Sequence, residues 1–81
     1  MLRIIETEAD GTTTVHLEGR LFSAWVDEVR SVIARRAAAG PVRLDLTELR
    51  YADMAGVELL RALQGQGIEI ASSNPYSSAL L

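Results

Sequence analysis

The chain has 81 residues, 48% hydrophobic and 23% charged, with a net charge of −3 from 8 basic and 11 acidic side chains. That length allows one small domain burying only about 60–65% of its unfolded surface, and the hydrophobic fraction excludes an acidic disordered chain. Cysteine is absent, which removes disulfides and thiolate metal sites. The arginines are scattered rather than run together, and no apolar stretch approaches the ~20 residues of a membrane helix, so neither nucleic acid nor membrane insertion is expected.

Leu2–Glu8 reads as a strand, with Leu2 and Ile4 on one face and Arg3, Ile5 and Thr7 on the other. Asp10-Gly11 is a hairpin turn dipeptide, because its backbone needs positive φ that these residues tolerate. Thr12–Glu18 alternates again, Val15 and Leu17 opposite Thr14, His16 and Glu18, completing an antiparallel hairpin. His16, the only histidine, has no obvious partner and reads as an ordinary surface residue. Ser23 is placed as the N-cap of a helix to Ala39, with Asp27 and Glu28 in or near its first turn. Trp25, Val29, Val32 and Ile33 form its buried stripe, and Gly40-Pro41 closes it with glycine in the left-handed conformation.

The stretch from residue 42 to residue 64 organises the rest. Val42, Leu44 and Leu46 alternate with Arg43 and Asp45 as a strand; Thr47–Ala52 is read as a connector. Asp53 then stands where a helix N-cap belongs, before the helical stripe Val57, Leu60 and Leu63, and Gly65 and Gly67 close that helix. A short last strand, Ile68–Ala71, leads through Ser72-Ser73-Asn74-Pro75 into a final helix of barely one or two turns, Tyr76–Leu81. The order is β-β-α-β-α-β-α. Helical crossovers make the later strands parallel, so the expected fold is α/β, a four-stranded mixed sheet with packed helices in one domain over residues 1–81.

Three segments together resemble a STAS domain, the module of anti-sigma-factor antagonists and of sulfate-transporter tails. They are Val15–Leu21 with its Gly19-x-Leu21 exit, Val42–Leu46 followed by Tyr51–Val57, and Gly67–Ile70 with Asn74-Pro75 opening the last helix. In that family the central motif usually reads Asp-Ser-Ser/Thr-Gly, and the resemblance implies that the first hydroxyl receives phosphate from a kinase that is also the anti-sigma factor. Added charge at the docking surface then switches binding off. Here Asp53 and Gly56 match, but the hydroxyl positions are Met54 and Ala55, which cannot be phosphorylated. Antagonists also often carry an Asp after the Gly-x-Leu exit, where this chain has Phe22, giving a more apolar rim. The last helix stops early for the family, short or truncated.

Weighed residue by residue, Asp53 is first a helix cap and secondly a partner contact. Gly56 either admits a partner's backbone or relieves crowding against the loop. Met54 is either an adaptable apolar contact at the helix tip or a core residue, and the core is the plainer expectation. The serines 72, 73, 77 and 78 are explained by turn and cap chemistry. No phosphate-cradling glycine loop, metal-ligand spacing or nucleophile–histidine–acid spacing points to an enzyme, and no cofactor is expected. The expectation is therefore a cytoplasmic protein-interaction module with a docking surface of Arg20, Phe22, Arg50, Tyr51, Asp53, Met54, Ala55, Gly56 and Val57. Its partner would be an anti-sigma factor of kinase fold, bound without phosphoregulation, or the ATPase subunit of a lipid-transport ABC system. A small nucleotide-binding or enzymatic domain is the third alternative.

Overall fold

The computed structural model describes all 81 residues. Strands β1 (Leu2–Ala9) and β2 (Thr12–Leu21) form the expected antiparallel hairpin, Ala9 facing Thr12 across Asp10 and Gly11. Both turn residues have positive φ, 52° and 78°, the two-residue geometry whose twist suits a hairpin. Helix α1 (Ser23–Ala37) crosses to β3 (Val42–Leu46), and α2 (Met54–Gly65) crosses to β5 (Glu69–Ser73) before α3 (Pro75–Leu80). The spatial order β1-β2-β3-β5, with β2-β3 and β3-β5 parallel, is the expected four-stranded mixed path.

A fifth strand lies inside the expected connector. After a break at Thr47-Glu48 the chain resumes as β4 (Leu49–Ala52), again parallel to β2. β3 and β4 are one strand interrupted: β3 pairs with Thr13–His16, and β4 with Gly19–Leu21 further along the same neighbour. The apolar alternation loses phase at the break, which is why the segment reads as loop. Leu49 and Ala52 are nonetheless buried. Asp45 stabilises the break, its Oδ1 accepting the Thr47 N–H at 2.9 Å in an Asx turn, while Glu48 C=O accepts the Gly19 N–H.

One alternation of each strand faces the helices. Val15, Leu17, Leu21, Leu44, Leu46 and Leu49 pack with Val29, Val32 and Ile33 of α1 and Leu59, Leu60 and Leu63 of α2 in a single core. Trp25 and Val57 pack against its edge. The opposite alternation carries Thr7, Thr14, His16, Arg43 and Asp45, which are partly accessible or exposed.

Several boundaries differ from the sequence expectation. Phe22, not Ser23, is the N-cap of α1, and it makes no side-chain cap bond. Asp27 and Glu28 fall beyond the first turn, which holds no acid; Arg35 and Arg36 in the last turn complement the dipole instead. Both arginines reach Glu6 of β1, Arg36 Nε donating at 2.6 Å, and that bond raises the Arg36 pKa above its ordinary value. Gly40 is not left-handed: the N–H groups of Ala39 and Gly40 both reach Arg36 C=O, and Pro41 then stops the helix by lacking an N–H. Gly67 does take positive φ, 95°, while Gly65 belongs to α2. Ile68 N–H bonds Leu63 C=O and Gly67 N–H bonds Gln64 C=O, a Schellman end that leaves Ile68 as an apolar staple and starts β5 one residue late. Ser72 and Ser73 are strand, not turn.

Candidate functional site

α2 begins where β4 ends, and Asp53 makes that junction. Its Oδ1 accepts the Gly56 N–H at 2.8 Å, the expected cap. Its Oδ2 accepts the Ser23 N–H of α1 at 2.9 Å. One carboxylate therefore caps two helices that lie 30 residues apart in sequence, which explains why α1 has no side-chain cap of its own. Nothing in the local pattern around Ser23 reveals this; the acceptor comes from another element.

Gly56 is buried under the exit of β2. A Cβ there would stand 2.7 Å from Leu21 C=O and 3.0 Å from Leu21 Cγ. The crowding reading of Gly56 is thus the structural one, and the close approach is internal to the chain. Gly19, φ 101°, is fixed likewise: a Cβ would sit 2.5 Å from Met1 C=O. Ala55 is partly covered and Val57 packs on the core, so neither forms the tip alone.

Met54 is exposed, with 79% of its surface accessible, and this corrects the expectation that it folds into the core. It is the first residue of α2, on the turn whose opposite side presses Gly56 onto β2. The exit of β2 lies alongside β4: Arg20 is the register partner of Tyr51. Phe22 and Tyr51 stack at an angle of 50° with ring centroids 5.5 Å apart. With Arg20 and Arg50 they line an open cavity of about 370 Å³. Four of the nine residues expected to contact a partner thus meet in one depression.

The back of β4 is tied by α3. Tyr76 Oη accepts the Ala52 N–H at 2.9 Å, and Asn74 Nδ2 donates to Thr47 and Leu49 C=O at 2.9 and 2.8 Å. Asn74 also caps α3 in a reciprocal capping box with Ser77, whose hydroxyl is buried and reaches Leu46 C=O. These bonds occupy the edge of β4 that no strand covers, and they hold Arg50 and Tyr51 in place.

His16 also departs from expectation, because it has partners. Its Nδ1 lies 3.3 Å from Asp45 Oδ2 and its Nε2 lies 3.0 Å from Thr7 Oγ1, joining β1, β2 and β3. A carboxylate only accepts, so Nδ1 carries a proton, and on the neutral ring Nε2 accepts the Thr7 hydroxyl. Hydroxyl, imidazole and carboxylate stand in the order of a nucleophilic triad. Here they form a cross-strand tie on an exposed sheet face, away from the cavity. Partial burial raises the Asp45 pKa, but the Thr47 hydrogen bonds and His16 outweigh it and hold the carboxyl below its ordinary value.

No helix is long and apolar enough to cross a membrane. In sequence, no curated protein matches the chain. In structure, it superposes on a crystal structure of Mglu with TM-score 0.66 at 21% identity over 88% of this chain, spanning only 19% of Mglu. A crystal structure of Mglu in its native form gives 0.62 at 19% identity over 86% of this chain and 22% of Mglu. The unphosphorylated form of the anti-sigma factor antagonist SpoIIAA matches with TM-score 0.59 at 21% identity, covering 93% of this chain and 74% of SpoIIAA. These likenesses establish the fold, and the family model described as "Mlab, STAS domain" matches residues 5–76. The chain therefore belongs to the STAS domain family.

Proposed function

We propose that this STAS domain is a protein-interaction module that docks through the tip of α2 and the adjoining β2 exit and β4, and that its work is binding rather than catalysis. The observation that carries the reading is Met54: an unbranched, adaptable apolar side chain held 79% exposed at a capped helix start, three residues after Tyr51 of the aromatic pair. The partner-facing residues are Arg20, Phe22, Arg50, Tyr51, Asp53 and Met54, with Ala55, Gly56 and Val57 shaping the turn beneath. Because Met54 and Ala55 carry no hydroxyl, phosphate cannot be attached at the family position, and the contact is not switched there. The likeness to SpoIIAA supports an anti-sigma factor of kinase fold as partner, in the cytoplasm. The missing hydroxyl favours a second reading, a permanently seated accessory subunit that steadies the ATPase of a lipid-transport ABC system.

The test is capture of the native partner from the source organism by the natural chain and by Met54→Asp. A charge at an exposed position leaves the thermal melt within about 0.5 kcal/mol of the parent, since nothing is buried there. Capture is lost. Undiminished capture by a folded Met54→Asp protein refutes the proposal, and the identity of the captured protein separates the kinase-fold partner from the ATPase subunit.

A further inference from the structure

Taking the docking reading above as its base, we infer that the segment received by the Arg20–Phe22–Arg50–Tyr51 depression is acidic: a partner strand or loop that seats one large apolar side chain on the Phe22–Tyr51 pair, with flanking carboxylates on the two guanidinium groups. The chain as a whole carries −3, so selection by overall charge would favour a basic partner. The depression has the opposite sign. Arg20 lies within 4 Å of no acidic group, and Arg50 reaches only Glu48, at 3.2 Å, in a pair that is exposed on both sides. Such a pair is worth little and exchanges readily for an incoming carboxylate.

The neighbouring acid, Asp53, has both oxygens engaged by the Gly56 and Ser23 N–H groups and forms an ion pair with neither arginine. The cavity, about 370 Å³, takes one bulky side chain against its aromatic wall. Arg20 and Tyr51 are paired across β2 and β4, and β4 is tied from behind by Tyr76 and Asn74. The backbone beneath the patch therefore has little order to gain on binding. Arginine and tyrosine are also among the side chains enriched at interface hot spots.

The experiment is a nitrogen-15 NMR titration of the full chain with three blocked peptides of equal length. One has a central phenylalanine flanked by glutamates, the second replaces the glutamates by lysines, and the third replaces the phenylalanine by alanine. The glutamate–phenylalanine peptide shifts the amides of Arg20, Phe22, Arg50 and Tyr51 in a saturable way, and both other peptides bind about tenfold more weakly. Arg20→Glu with Arg50→Glu reverses the preference between glutamate and lysine; the neutral pair Arg20→Gln with Arg50→Gln weakens the acidic peptide without reversal and serves if the first variant loses its dispersed spectrum. Equal binding of the acidic and basic peptides, or no shift at these amides, overturns the inference. So does ATP binding at the same amides more tightly than the acidic peptide, which would make the depression a site for a free anion. If Met54→Asp abolishes native capture while the arginine variants capture normally, the docking reading stands and this inference alone fails.

Discussion

At the scale of single residues, Asp53 does two jobs that the sequence presents as one. The side chain satisfies one otherwise orphaned N–H at each of two helix starts, so its removal loosens α1 and α2 together. Asp53→Ala is expected to cost about 2 kcal/mol, roughly one for the α2 cap and one for the Ser23 bond to a charged acceptor. Asp53→Asn recovers about half, since an amide keeps one acceptor oxygen but turns a donor toward the second N–H. Urea unfolding of the three proteins checks this ranking; an Asn variant as stable as the parent would show that only one of the two bonds matters. Gly56 shows the complementary case, where no side chain fits because Leu21 C=O lies too close.

At the scale of elements, the interrupted strand β3–β4 is what builds the docking edge. An unbroken strand would keep one register along β2; the break at Thr47-Glu48 shifts it once, and a second slip between Gly19 and Arg20 sets Tyr51 opposite Arg20. Asp45 supports that break through Thr47 and, through His16, ties β3 to β2 and β1. Because its folded pKa lies below the ordinary 3.8, the unfolded chain binds the proton more tightly, and stability rises with pH across that region. The contribution is complete above the ordinary carboxylate value and disappears as the pH falls through the lower, folded one. Asp45→Asn should therefore be less stable than the parent by about 1 kcal/mol at neutral pH, with the gap closing in acid below 3.8. Unfolding curves from neutral pH downward give the comparison, and a gap independent of pH would assign the effect to packing.

At the scale of the whole molecule, a single apolar layer between one sheet face and two helices carries the stability. A chain of 81 residues has a total margin of roughly 4–12 kcal/mol. Leu17, on strand β2, is fully buried among the core side chains. Leu17→Ala is expected to remove about 3 kcal/mol, lowering the urea midpoint by a large fraction of its value, whereas Met54→Ala leaves it nearly unchanged. Similar midpoints for the two would contradict the assignment of Leu17 to the core and Met54 to the surface.

The order of elements apart from β4, the hairpin turn at Asp10-Gly11, the cap at Asp53 and the faces of α1 and α2 were legible in the sequence, because each follows from local conformational preference or a short apolar period. The gathering of Arg20, Phe22, Arg50 and Tyr51 was anticipated only through the family resemblance, and its register with β4 was not. Strand β4, the partners of His16, the exposure of Met54 and the second bond of Asp53 depend on contacts between residues far apart in the chain. A phase slip such as Thr47-Glu48 looks like a loop until a neighbouring strand supplies the pairing. A carboxylate shows one local acceptor role until another helix brings its own unsatisfied N–H. Local chemistry thus determined which elements form, while the packing of β2 against β3, β4 and both helix starts decided which side chains face outward together.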